Sequence, residues 1–131
     1  MNLEDEVESV LLDLVKEKHE YSYKRNIRLQ GASGCLWEVD FALYKEGKLD
    51  AIIECKDVKS KQATTFDTQM SRAYTRLNDL RLKYTQARFY VIVRKLPRYT
   101  LLEKWGDIFR AAGMDLLSLD MLKEFKDTLL T

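Results

Sequence analysis

Two apolar segments of the chain carry acidic side chains, and one of them also carries a lysine. Asp40 lies within residues 36–44, and Glu54 and Lys56 stand two positions apart within residues 51–56. Two carboxylates that converge from neighbouring strands bind a hard divalent cation, which lowers the pKa of a bound water. A lysine two residues from one acid lies on the same strand face, where its ammonium can stabilise charge developing on a phosphate. These residue types favour metal-assisted phosphoester hydrolysis.

Other metal and thiol chemistries are disfavoured by the small number of suitable residues. Cys35 and Cys55 form neither a disulfide framework nor a zinc-binding spacing, and His19 is the sole histidine in the sequence. Metal binding is therefore left to carboxylates, which select Mg²⁺ or Mn²⁺. We expect Mg²⁺ as the cofactor, with Mn²⁺ able to substitute.

Residues 36–44 and 51–56 are predicted to form two neighbouring strands. Residues 36–44 alternate, which predicts a strand with Trp37, Val39, Phe41 and Leu43 on one face. In residues 51–56, alternation places Ile52, Glu54 and Lys56 on one face and Ala51, Ile53 and Cys55 on the other. The Cys55 side chain is thus expected to be a small buried group pointing away from the acids.

The register of this hairpin decides whether the acids meet, because a one-residue slip moves a side chain to the other face. A two-residue turn at Glu46 and Gly47 would set Asp40 opposite Ile53, on the wrong face. A three-residue loop over residues 45–47, with Gly47 left-handed, sets Asp40 opposite Ile52 and Glu38 opposite Glu54. The glycine position favours the three-residue loop, and Glu38, Asp40, Glu54 and Lys56 would then share a face.

The remaining elements follow from helical and alternating periodicity. Helices are predicted over residues 2–19, from Thr65 or Asp67 to about Tyr84, and over 101–112 and 119–130, with further strands over 21–29, 88–94 and 114–117. The second of these helices is expected to bury an apolar stripe of Met70, Ala73, Tyr74, Leu77, Leu80 and Tyr84. The order α, β, β, β, α, β, α, β, α predicts an α/β domain, a mixed central β-sheet flanked by helices.

The charge is unevenly distributed along the chain. The formal net charge is +1, yet residues 56–98 hold 11 Lys and Arg against 3 Asp and Glu, a local net charge of +8. Such a block is typical of a face that binds a polyanion, although a solvated helix face explains it equally well. Lys59, Lys61, Gln69, Arg72 and Arg76 are the candidate phosphate contacts in this block, and such contacts position a backbone without reading bases.

The Glu-x-Lys pattern occurs three times, at Glu46–Lys48, Glu54–Lys56 and Glu124–Lys126, but the middle copy ends a strand that is paired with an acid-bearing strand. In this context, Glu38-Val-Asp40 and Ile53-Glu-Cys-Lys56 resemble the PD-(D/E)XK nuclease superfamily. The resemblance covers residues 1 to about 95 and implies a restriction-endonuclease-like core. It also implies that Asp40, Glu54 and the Cys55 carbonyl ligate the metal and that Lys56 is the catalytic lysine.

Many members of that superfamily add an acid from the first helix. Glu4 is the best candidate here because it flanks the apolar stripe one turn from Val7, whereas Glu8 lies a turn further on. An ordinary N-terminal acid favoured by the helix dipole explains Glu4 equally well.

At 131 residues with 46% hydrophobic composition, the chain is expected to be one domain, 1–131, intracellular and without a membrane span. The resemblance implies an endonuclease that cleaves nucleic acid, DNA rather than RNA, by a metal-activated water. The alternative is a catalytically inactive nucleic-acid-binding or assembly module of the same fold. We expect a homodimer, with six apolar C-terminal residues forming either its interface or the core: Trp105, Phe109, Leu116, Leu119, Leu122 and Phe125.

Overall fold

The computed structural model describes residues 2–58, 63–94 and 99–130, without the side chains of residues 63, 99–102 and 123. Its elements are α1 (Leu3–Glu17), β1 (Tyr21–Gln30), β2 (Leu36–Lys45), β3 (Lys48–Lys56), α2 (Ala63–Lys83), β4 (Arg88–Val93), α3 (Tyr99–Ala111), β5 (Met114–Ser118) and α4 (Leu122–Leu130), with a 3₁₀ turn at Leu119–Met121 before α4. The predicted element order is confirmed.

One five-stranded mixed sheet, in the order β1-β2-β3-β4-β5, organises the chain. The first three strands are antiparallel, and β3, β4 and β5 run parallel. Helices α1 and α4 cover one face of the sheet, and α2 and α3 cover the other. The predicted α/β class with a helix-flanked mixed sheet is therefore confirmed.

Helix α2 packs on the sheet through the apolar stripe that its periodicity predicts. Met70, Ala73, Leu77 and Leu80 are fully buried against Ile52 and the β4 residues of that face. Burial of such a stripe stabilises the helix more than its intrinsic propensity does. Ser71, Arg72 and Thr75 of α2 lie off this stripe and are exposed.

The hairpin between β2 and β3 differs from the preferred prediction. Its turn has two residues, Glu46 and Gly47, both with positive φ (52° and 79°), and Lys45 pairs with Lys48. This is the geometry of the type I′ turns that match strand twist. The three-residue loop, and with it the pairings of Asp40 with Ile52 and Glu38 with Glu54, is wrong.

A β-bulge in β3 shifts the register by one residue and so brings Asp40 level with Glu54, which the two-residue turn alone would not do. Tyr44 pairs with Leu49 but Leu43 pairs with Ala51, so Asp50 is an extra residue in β3. The Asp50 carboxylate accepts a 2.7 Å hydrogen bond from Nη2 of Arg88. Beyond the bulge Phe41 lies opposite Ile53, a register that brings Asp40 to the level of Glu54.

The predicted single apolar face of β2 is also wrong. Trp37 and Val39 pack in the α2 core, whereas Phe41 and Leu43 pack in the α1 core. The change of face coincides with Asp40 and with Asn26 of β1, which has a left-handed φ of 53° and interrupts the β1–β2 pairing. As a result Glu38 is exposed, on the side of β2 away from Trp37 and Val39, and does not share a face with Glu54.

The C-terminal apolar residues belong to the core. Trp105, Phe109 and Phe125 are buried, and Leu116, Leu119 and Leu122 are partly buried against the two cores. They are therefore not available as a dimer interface. Across the described ranges, no helix is long and apolar enough to span a membrane.

Candidate active site at the divergence of β2 and β3

The carboxylates of Asp40 and Glu54 each accept a hydrogen bond from the backbone of the other strand, at the point where regular pairing of β2 and β3 ends. The Asp40 amide donates to Glu54 Oε1 at 3.0 Å, and the Cys55 amide donates to Asp40 Oδ2 at 2.7 Å. Each carboxylate therefore replaces a backbone carbonyl that the diverging strand no longer offers. The arrangement fixes both side chains, because each accepts a charge-assisted bond from the opposite backbone.

Both carboxylates are held in surroundings that disfavour their charge. Glu54 is 1% exposed, and burial together with the Asp40 charge raises its pKa to about 7. The pKa of Asp40 is also raised, chiefly by burial and further by the charge of Glu4, against a lowering by the Cys55 amide. Positive charge at this site would stabilise both ionised forms.

Two cations already face Glu54. The Arg76 guanidinium donates from Nη1 to Glu54 Oε2 at 2.8 Å, and Lys56 Nζ lies 4.0 Å from the same oxygen. Arg76 also reaches the Glu38 carbonyl at 3.4 Å, but its buried Nε has no hydrogen-bond partner among the described residues. An unsatisfied buried donor costs about 1–3 kcal/mol, so the unpaired Nε makes this conformation of Arg76 less favourable.

Of the two candidate acids on α1, the structure places Glu4 near the carboxylate pair. The charge of Glu4 acts on both Asp40 and Cys55, raising the pKa of each. Glu8 instead accepts hydrogen bonds from Tyr23 and Arg25, at 3.0 and 2.9 Å. The first turn of α1 is capped by Asn2, whose Oδ1 accepts from the Asp5 amide at 2.8 Å.

Apart from Arg76, which bonds Glu54, the predicted phosphate contacts separate into three groups. Gln69 lines a cleft of about 180 Å³ together with Lys56, Asp57, Val58 and Thr65, so it belongs to the site. Arg72 is one turn further along α2 and lines a different groove, described below. Lys59 and Lys61 lie outside the described residues.

The donor set suits a hard cation. Asp40 Oδ1 has no hydrogen-bond partner in the described parts of the chain, whereas the other three carboxylate oxygens of the pair are bonded. No group of three or more His, Cys, Asp or Glu side chains in those parts is arranged to hold a metal ion. Mg²⁺ commonly binds through one or two carboxylates and completes its shell with waters and substrate phosphate, so the open Asp40 Oδ1 is of the donor type that Mg²⁺ prefers.

Sequence periodicity missed two features beside the site. Arg94 bonds Glu6 at 3.1 Å and Asp57 at 3.2 Å, which ties the first turn of α1 to the end of β3. Trp37 packs towards α2 with Arg76 over its ring. The position of Glu54 within an apolar segment was the signal in the sequence for a cationic partner, because a charge removed from water requires one.

Comparison with known proteins identifies a similar fold. No protein-family profile matches the sequence, and no curated protein matches it significantly. A crystal structure of a protein of unknown function, AF1548, is similar to this chain with a TM-score of 0.55 and 18% sequence identity. The similarity covers 93% of this chain, which spans 66% of the length of that protein. At this identity the likeness concerns the α/β fold alone.

Proposed function

We propose that this chain is a Mg²⁺-dependent endonuclease of the PD-(D/E)XK type that hydrolyses phosphodiester bonds of DNA. The observation that carries the proposal is the Asp40–Glu54 pair, which is held by reciprocal backbone hydrogen bonds at the divergence of β2 and β3. Two acids brought together and partly desolvated repel each other. A bound divalent cation would offset that cost.

In this proposal Asp40, Glu54 and the Cys55 carbonyl hold the metal, and Glu4 supports them from α1. The bound cation would offset phosphate charge and lower the pKa of an attacking water. The reciprocal hydrogen bonds keep both carboxylates in fixed orientations before substrate arrives, so little reorganisation is needed during the reaction.

Lys56, Gln69 and Arg76 bind and stabilise the phosphate. Lys56 extends from the end of β3 next to Glu54, and its ammonium stabilises negative charge that develops on the phosphate. Gln69 lines the same cleft and positions the phosphate backbone. Arg76 pairs with Glu54, and if Glu54 held a metal ion its guanidinium would be available to bind a phosphate of the substrate.

One observation favours the rival function, an inactive nucleic-acid-binding module. The Arg76 guanidinium lies 2.8 Å from Glu54 Oε2 and so already supplies positive charge at the pair. In a binding module this ion pair would be permanent and metal would be irrelevant. The two functions differ in whether the behaviour toward nucleic acid depends on a divalent cation.

The experiment is a cleavage assay on labelled single-stranded, duplex, flap and four-way-junction DNAs and on an RNA strand, each with Mg²⁺, Mn²⁺ or chelator. The nuclease is expected to cut at least one DNA with either metal and none in chelator. Binding that is equally tight in chelator, without cleavage in any metal, would establish the binding module instead.

The homodimer and the intracellular location remain predictions. Because the C-terminal apolar residues are used in the core, a dimer would have to form through another surface. Sedimentation velocity over a range of protein concentrations tests this, and a profile that shows monomer throughout would contradict it.

A further inference from the structure

A groove of about 310 Å³ lies between β2 and α2, beside the carboxylate pair. Its lining is one aromatic ring, two guanidinium groups and two hydroxyl groups, from Trp37, Arg72, Arg76, Ser71 and Thr75. No carboxylate of the described residues lines it. Basic side chains next to an exposed aromatic surface are the usual composition of a site for single-stranded nucleic acid.

A hydrogen bond at the edge of the Trp37 ring holds the ring in place. Its Nε1 donates to Asp79 Oδ2 at 2.8 Å, and the same carboxylate accepts from the Ser33 hydroxyl at 2.6 Å and the Ser33 amide at 2.9 Å. The Arg76 guanidinium lies 5.9 Å from the centre of the ring. A ring fixed in this way loses little conformational freedom when a ligand stacks on it.

Arg76 connects this groove to the carboxylate pair. It lines the groove and also bonds Glu54 at 2.8 Å, so a nucleotide in the groove would place its phosphate close to the proposed reaction centre. The exposed Arg72, one turn earlier on α2, extends the positive charge along the same path. The charge and the position of the groove therefore suit a strand that also reaches Asp40 and Glu54.

We propose that Trp37, with Arg72 and Arg76, forms a stacking subsite for one unpaired nucleobase of the substrate strand. This inference rests on the proposed nuclease function and specifies its substrate class. Both faces of a paired base within a duplex are covered by its neighbours, so stacking on Trp37 requires an unpaired or extruded base. The preferred substrates should therefore contain single-stranded nucleotides next to the scissile phosphate.

The test uses tryptophan fluorescence in chelator, where binding is separated from cleavage. The sequence has two tryptophans, so Trp105→Phe leaves Trp37 as the single reporter. The probes are an oligothymidylate of about 20 nucleotides, an abasic strand of equal length and charge, and a blunt duplex. Quenching by oligothymidylate, but not by the abasic strand or the duplex, is the expected result. Equal responses to oligothymidylate and the abasic strand, or no quenching, would overturn the subsite.

Variants provide a second measurement. Trp37→Leu should weaken oligothymidylate binding about tenfold or more and leave abasic-strand binding unchanged, and Trp37→Phe should retain part of the affinity. Arg72→Gln should weaken binding of all three probes, because it removes a phosphate contact. The proposal would be contradicted if wild type, Trp37→Phe and Trp37→Leu all bound oligothymidylate with the same affinity.

The outcomes separate the two proposals. Metal-dependent cleavage without base-dependent quenching would leave the nuclease standing and remove the subsite. Base-dependent quenching without cleavage in any metal would support the subsite and remove the nuclease.

Discussion

The Arg76 guanidinium, reaching from α2, donates to Oε2 of the buried Glu54 at 2.8 Å. Among the described residues it is the cation nearest to this carboxylate, whose pKa is raised to about 7 by burial and by the Asp40 charge. The ion pair thus offsets part of the cost of burying Glu54. It also occupies an oxygen that the proposed metal would use.

Replacing Arg76 should therefore destabilise the metal-free protein in a pH-dependent way. Arg76→Met keeps an apolar stem beside Trp37 but leaves Glu54 less compensated, which should lower the free energy of unfolding by about 1–3 kcal/mol at pH 8. At pH 5 Glu54 is protonated and the loss should be smaller. Urea unfolding in chelator measures both.

Two comparisons complete that experiment. Arg72→Met changes an exposed arginine of the same helix and should alter stability by less than about 0.5 kcal/mol. Mg²⁺ should raise the melting temperature more in Arg76→Met than in wild type, because the competing guanidinium is gone. Equal destabilisation at pH 5 and pH 8 would show that Arg76 acts through packing rather than through Glu54.

Asp40→Asn separates the structural role of Asp40 from its charge. The asparagine carbonyl can still accept the Cys55 amide, so the fold should survive, but the loss of one metal-binding charge should reduce cleavage about 10²–10³-fold. Glu46→Gln, which removes an exposed acid in the hairpin turn, is the matched control and should cleave normally. Near-normal cleavage by a folded Asp40→Asn would remove Asp40 from the site.

Glu54 should make the metal-free protein less stable as pH rises. Its pKa in the folded state, about 7, lies above its ordinary value of 4.5, so the folded protein binds more protons than the unfolded chain between these values. The free energy of unfolding should therefore fall from pH 4.5 to 7, by on the order of 2–3 kcal/mol from this group.

The control for that pH dependence is Glu54→Gln, which removes the titrating group. Its stability should decline less than that of wild type over the same pH range, measured by urea unfolding in chelator. The pKa of Asp40 is also raised, chiefly by burial, so Asp40 contributes a pH dependence of the same sign in both proteins. Parallel pH profiles for the two proteins would show that Glu54 is not protonated in this range.

Gly31 and Gly106 should respond oppositely to alanine. A Cβ at Gly31 would overlap the Asp79 carboxylate that anchors Trp37, so Gly31→Ala should cost about 1–3 kcal/mol and disturb Trp37 emission. At Gly106 in α3 the nearest atom is 4.0 Å away, so alanine should stabilise by about 0.5–1 kcal/mol. Thermal unfolding with tryptophan fluorescence tests both, and a neutral Gly31→Ala would show that the Asp79 anchor is easily displaced.

The order of elements and the buried stripe of α2 followed from periodicity, because each reflects local alternation of apolar and polar residues. The register of the β2–β3 hairpin did not. Glycine at position 47 suits either turn length, and the bulge at Asp50 depends on Arg88, which is distant in sequence. Local pattern therefore predicted the elements but not their offset.

For the site, the convergence of Asp40 and Glu54 was expected, although the pairing that produces it was not. Glu38 was wrongly assigned to the same face because β2 changes face at Asp40, where the neighbouring strand has the left-handed Asn26. The groove at Trp37 depends on Asp79 and Arg76, both from α2. Such contacts arise from tertiary packing and leave no local signal.

The most direct test of the account is the rate of Mg²⁺-dependent DNA cleavage by Lys56→Ala beside Lys48→Ala. Both lysines follow an acid by two positions, but Lys48 is exposed in the hairpin and Lys56 lies 4.0 Å from Glu54. If Lys56 is the catalytic lysine, Lys48→Ala should cleave at the wild-type rate, Lys56→Ala should cleave about 10²-fold or more slowly, and neither should cleave in chelator. Equal rates for the two variants, or cleavage that persists in chelator, would contradict it.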